Sequence, residues 1–136
     1  MSQWLVPSSA ALLLWGVWAF LPKLTMQYIN PKSAVVYEAL GGLLVAAVVL
    51  VFVGFRPETH VRGVTLALIT GVLGLLGAFG YLYAVSKGPV ALISTMTALY
   101  PIVTIILAYL VLGEPVTMKQ GIGLIMALIA IILITS

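Results

Sequence analysis

Five long apolar stretches, each about 20 residues and therefore long enough to cross a bilayer, fill almost all of this 136-residue chain. Only short breaks separate them, so little chain is left to form anything else. Lipid supplies no water to unpaired backbone N–H and C=O groups, which restricts a spanning segment to a helix or a strand of a closed barrel. Barrel strands run about ten residues with alternating polarity, and these stretches are twice that length and apolar throughout. The chain therefore reads as an all-α integral membrane protein with five transmembrane helices. Composition agrees: 63% of residues are hydrophobic, 7% are charged and the mean hydropathy is +1.27, whereas soluble domains carry about a quarter charged residues.

Proline, glycine and charge mark the boundaries. Span 1 is predicted over about 8–28, stopped at Asn30-Pro31, because proline restricts the residue before it. Span 2 follows over about 32–54 and is closed by the polar run Arg56-Pro57-Glu58-Thr59-His60. Span 3 covers about 62–86, span 4 about 90–112 after Lys87-Gly88-Pro89, and span 5 about 117–135 after Gly113-Glu114-Pro115. Residues 1–136 then make one transmembrane domain with no room for a soluble one. The first twenty residues hold no Lys or Arg, which argues for a first span rather than a signal peptide with a basic n-region.

An odd number of crossings has a consequence. A second copy placed in tandem would sit upside down relative to the first. Orientation normally follows the side richer in Lys and Arg, but here Arg56, Arg62 and Lys119 fall on one side and Lys23, Lys32 and Lys87 on the other, three against three, or three against two with Lys23 counted as intramembrane. That even split removes the usual cue for a single orientation. Odd count and flat charge bias together point to half of an inverted-repeat transporter fold, completed by a second copy in a homodimer, with antiparallel pairing preferred.

Order and spacing of short motifs carry a family resemblance. Tyr81-Leu82-Tyr83-Ala84 leads through Lys87-Gly88-Pro89-Val90-Ala91 to Leu99-Tyr100-Pro101, then to Leu112-Gly113-Glu114-Pro115 and Gly121-Ile122-Gly123. This succession resembles the second half of an EamA-type domain of the drug/metabolite transporter superfamily. Trp15-Gly16 and the proline opening span 2 resemble the start of the same unit. The resemblance implies a five-helix unit, usually present twice in inverted tandem, that exports metabolites, amino acids or drugs. Many members carry an arginine in span 2 after the proline. This chain departs from that pattern with Val36-Tyr37-Glu38-Ala39, an acid in place of the arginine, which singles out Glu38.

An ionisable side chain inside a span is costly and is a functional candidate by default. Glu38 lies eight residues after Asn30 and Lys23 seven before it. In a helical hairpin bent near Asn30 both would lie roughly 10 Å deep at 1.5 Å per residue, close enough to pair across spans 1 and 2. The structural alternative is an ion pair that ties helices, or Lys23 snorkelling to the headgroups. The functional one has Glu38 exchanging a proton or binding a cationic group.

Three spans carry a stripe of small, polar or aromatic residues at helical spacing. They are Trp15, Trp18, Pro22 and Thr25 in span 1; Thr70, Gly74, Gly77 and Tyr81 in span 3; and Ser94, Thr97, Pro101 and Thr104 in span 4. Such stripes serve close helix packing or line a cavity. Trp15 and Trp18 lie too deep for an interfacial belt, which favours an aromatic wall able to hold a cation. Tyr37, Tyr83 and Tyr100 suit a cavity wall or an interface equally. The substrate-binding candidates are thus Glu38, Lys23, Trp15, Trp18, Tyr37, Tyr81, Ser94, Thr97 and Tyr100, with Pro22 and Pro101 as hinges because proline interrupts the backbone ladder. Span 5, aliphatic from Leu124 to Ile134, reads as a packing helix.

Other chemistry finds no support. His60 has no second His or Cys with which to hold a metal and reads as solvated, while Glu114 reads as part of a turn. No nucleophile–base constellation or phosphate loop is present, which argues against an enzyme, and no cofactor is implied. Six cations and three anions are spread singly, so no basic patch exists to follow nucleic acid. The expected partners are the lipid bilayer, a second copy of the chain and a small-molecule solute, in a multi-pass protein of the plasma (inner) membrane. Two alternatives stand beside a solute transporter: a lipid or lipid-linked flippase subunit, and a non-transporting membrane scaffold.

Overall fold

A computed structural model describes residues 3–135. Helix α1 spans Leu5–Thr25, α2 Pro31–Phe52 and α3 Val61–Lys87. The fourth span is broken into α4 (Val90–Thr97) and α5 (Tyr100–Leu107), continued by a π-helical turn over Ala108–Leu112. Helix α6 covers Met118–Thr135. Four of these spans are long and apolar enough to cross a bilayer, and α6 is a shorter apolar helix. At 18 residues α6 is roughly 27 Å long, close to the ~30 Å hydrocarbon thickness. Among the described residues there is no strand, and the five-helix, all-α expectation holds.

Helix ends follow local chemistry, and one expected boundary shifts. Asn30-Pro31 does not stop the first helix, which already ends at Thr25 in tight turns from Gln27 N–H to Leu24 O and Tyr28 N–H to Thr25 O. The pair starts the second helix instead. Asn30 is an N-cap whose side-chain oxygen accepts from Ser33 N–H at 2.9 Å, and Pro31 takes the first helical position, where its missing donor is harmless. Helix α2 closes in a Schellman motif: Phe55 N–H bonds Leu50 O and Gly54 N–H bonds Val51 O, with Gly54 left-handed at φ 62°. A capping box starts α6, with Gln120 N–H donating to Thr117 Oγ1 and Thr117 N–H donating to Gln120 Oε1.

The fourth span was expected to be one helix kinked at Pro101. It is interrupted over Ala98 and Leu99 instead, three to two residues upstream. The proline ring clashes with the carbonyl four residues back, which belongs to Thr97, the last residue of α4.

The chain divides into two compact units, Met1–Lys87 and Gly88–Ser136. In the first, α1 and α2 both pack on α3. Its buried residues are Pro22 of α1, Ala34 of α2, and Ala78, Tyr81, Leu82 and Val85 of α3. The α3 positions recur at three- and four-residue steps and so form one stripe. All six lie near the C-terminal ends of α1 and α3 and the N-terminal end of α2, which is a single end of the unit. Residues 12–18, 41–49 and 61–77 are exposed throughout. Such surface would ruin a soluble protein, but lipid tails are as apolar as Leu and accept it. In the second unit α4 packs on α6, and none of its described residues is buried.

Candidate functional site

The first unit draws several of the candidate residues together around Pro22. A proline inside a helix lacks the amide that would bond the carbonyl four residues back and pushes the preceding turn open. In lipid the loosened carbonyls need donors from elsewhere, and neighbouring helices supply them. On this turn α3 supplies a donor: Tyr81 Oη donates to Ala19 O at 2.7 Å, one residue past the Trp18 carbonyl that the missing amide frees. The Tyr81 ring is 6% exposed and stacks on Trp18, with centroids 5.4 Å apart and planes 29° from parallel.

One turn further along, Lys23 Nζ donates to Val85 O at 2.9 Å. Val85 lies in the last turn of α3, where carbonyls have no intrahelical partner and the helix dipole is negative. A half-buried ammonium on that carbonyl is a C-terminal cap made by another helix. Both bonds join residues 62 apart in sequence, so α1 and α3 run in the same direction in constant register, as spans one and three of a serpentine chain must.

Glu38 sits one turn beyond buried Ala34, on the same face of α2, and is half-buried. Past Ala39, α2 is exposed as far as Val49. Counted inward from the packed end, Glu38 lies seven residues after Pro31 and Trp18 seven before Thr25, each roughly 10 Å deep. A carboxylate and a stacked indole, 40% exposed, thus occupy the same depth, where the packed end gives way to the open one. Lys23 bonds to α3 and, because α1 ends at Thr25 rather than near Asn30, it lies about 7 Å nearer the packed end than Glu38, not at the equal depth expected from the sequence.

The remaining candidates lie apart from this cluster. Trp15 and Tyr37 are 60% and 64% exposed. In the second unit Ser94 Oγ donates to Ala91 O, and Thr97 Oγ1 to Ile93 O and Ser94 O, so both hydroxyls are spent on their own helix. Back-bonding of this kind bends helices and accompanies the break after Thr97. Tyr100 is exposed at the start of α5, beside Pro101. His60 is exposed as expected and also accepts from Gly63 N–H at 3.4 Å, a weak cap for α3.

Sequence reasoning missed the acceptors. Ala19 and Val85 contribute through backbone carbonyls, which no residue type announces. It also missed an open groove of about 350 Å³ lined by Asn30, Pro31, Lys32, Phe79 and Tyr83. Lys87 Nζ stands 5.9 Å from the Tyr83 ring centroid, in cation–π range, so the rim of the packed end is both aromatic and basic.

Comparison with known proteins adds the family. The model of the EamA-like transporter family matches residues 4–136. The chain belongs to the EamA-like transporter family. Members are transporters rather than enzymes, and membership together with the apolar helices makes this an integral, multi-pass membrane protein. An uncharacterized protein of Methanocaldococcus jannaschii is similar to this EamA chain, 27% identical over 123 residues that cover 90% of this chain and 89% of the relative. That relative is thus about one EamA unit long. No solved structure matches the chain.

Proposed function

We propose that this EamA chain moves a small organic solute across the inner (plasma) membrane by alternating access, as a homodimer of antiparallel copies. The observation that carries the reading is the first unit's asymmetry: packed at one end, exposed at the other, with Glu38 and Trp18 at the boundary. A solute entering the open end would meet an indole face, a carboxylate and then a closed floor. A cationic solute suits both groups. Two copies related by an axis in the membrane plane would recreate the inverted repeat that places substrate near the midplane. The even charge split supports a unit that works through a second copy.

Glu38 is the proposed coupling group, exchanging a proton against the solute, with Lys23, five residues nearer the packed end, as the countercharge reached through its long stem when the carboxylate is ionised. The test is uptake of a panel of organic cations into proteoliposomes under an imposed pH gradient. Glu38→Gln is expected to abolish gradient-driven uptake while leaving the folded, helical protein intact. Gradient-driven uptake at the parent rate in Glu38→Gln would remove the coupling role.

One observation favours a second reading, a flippase subunit. The groove of Asn30, Lys32, Phe79 and Tyr83 sets amide and ammonium groups beside aromatic rings, as a lipid headgroup with its chains would require. Scrambling of a labelled phospholipid in the same vesicles, without organic-cation uptake, would select it.

A further inference from the structure

Two hydrogen bonds and a ring stack join α1 to α3 at the packed end, and they bracket Pro22. Tyr81 Oη to Ala19 O lies three residues before the proline, and Lys23 Nζ to Val85 O one residue after it. We infer that Tyr81 and Lys23 form a latch across the Pro22 turn: made, it holds this end of the first unit shut; broken, it frees the last turn of α1 to swing from α3. Tyr81 is a positioning residue in this device, because it acts on Trp18 and on the proline turn rather than on a solute.

The physics comes from the proline. Without its amide, the turn from Trp18 to Pro22 lacks one internal bond, so its stiffness depends on what α3 lends it. Tyr81 lends a hydroxyl to the adjacent Ala19 carbonyl, tying the weakened turn to α3 rather than replacing its lost bond, from a site that is nearly closed to solvent, and Leu82 and Val85 beside it are 0% exposed. Each latch bond also has a replacement when it opens. The Lys23 ammonium can reach the headgroup layer by extending its stem, and water admitted at the opened end can take the Ala19 carbonyl. The open state is therefore a minor conformer rather than an unfolded one. Trp18 rests on the Tyr81 ring, so release of the latch moves the indole that faces the boundary. In this way the shut end is linked to the inner aromatic wall. Use of the latch in transport rests on the alternating-access reading; the latch itself is a property of the first unit alone.

The chain contains no cysteine, so Val85→Cys places a single thiol at a position that is 0% exposed while the latch is made. Its rate of labelling by a charged methanethiosulfonate in proteoliposomes reports how often the end opens. Adding Tyr81→Phe keeps the ring but removes the donor, and is expected to speed labelling on the order of five-fold, the worth of one ordinary hydrogen bond. Adding Pro22→Ala as well restores the missing amide, stiffens the turn and should bring the rate back toward the parent. An unchanged rate in Tyr81→Phe overturns the latch. An equal acceleration with and without Pro22→Ala overturns its dependence on the proline turn. Should Tyr81→Phe fail to fold, Lys23→Met in the same background keeps the ring pair and is expected to accelerate labelling; no acceleration there overturns the latch too. Labelling needs no solute, so a chain that latches yet moves nothing would remove the transport reading and leave this inference standing.

Discussion

Leu82 separates two physical accounts of what holds the first unit together. Its side chain is fully buried on the α3 stripe between Tyr81 and Val85. In a soluble protein, Leu82→Ala would lose the transfer energy of about three methylene equivalents, roughly 2.4 kcal/mol, plus a cavity term. In a bilayer the transfer term vanishes, because separated helices would bury the same leucine in lipid. Only the cavity remains. Removing about 75 Å³ of side chain at ~24 cal/mol per Å³ gives roughly 1.8 kcal/mol. The expected loss is thus about 2 kcal/mol, not the 4 of a water-solvated core. Reversible unfolding in mixed micelles, titrated with SDS and followed by circular dichroism, measures it. Leu44→Ala on α2, where the side chain is 70% exposed, is the matched control and should lie within about 0.5 kcal/mol of the parent. A Leu82→Ala loss near 4 kcal/mol would show that water, not lipid, is the competing solvent at this end. A loss indistinguishable from Leu44→Ala would refute the packed end altogether.

Three further outcomes follow from local structure. Asn30→Ala removes the acceptor for Ser33 N–H and should lower stability by about 1 kcal/mol in the same titration; no change would mean that Pro31 alone starts α2. Gly54→Ala forces a Cβ into the left-handed Schellman position and should cost about 1 kcal/mol. Gly71→Ala, with nothing within 4 Å of the added methyl, should cost nothing, and the reverse order would contradict a left-handed end to α2 at Gly54. Paired reporters fused after Ser136, one active only inside the cell and one only outside, should give comparable signals if the copies insert in both orientations. Signal from one side alone would rule out the antiparallel homodimer.

Much of the fold was legible in the sequence because lipid leaves so few options. Length and apolarity decide that a segment spans, and the absence of water decides that it is helical, so all five spans and the short breaks between them follow from residue type alone. The fit with the EamA family followed from the same turns, since Lys87-Gly88-Pro89 and Gly113-Glu114-Pro115 fix where helices end. Boundaries were less legible where one residue pair permits two roles. Asn30-Pro31 stops a helix or caps the next one with equal local logic, and Pro101 acts upstream, on the turn of Thr97, rather than where it stands.

The site divides along the same line. Sequence reasoning picked out Glu38, Lys23, Trp18 and Tyr81, because charge in a span and aromatic residues at helical spacing are visible in one dimension. What it could not supply was their partners. Lys23 meets the carbonyl of Val85 and Tyr81 that of Ala19, and every residue has a carbonyl, so composition gives no hint of which are used. The choice is made by the register of α1 against α3, constant at 62 residues, and a register belongs to two packed helices rather than to any single residue. Residue type determined which segments lie in lipid and which groups are out of place there; only the packing of helices decided which of those groups touch, and so where the first unit is shut.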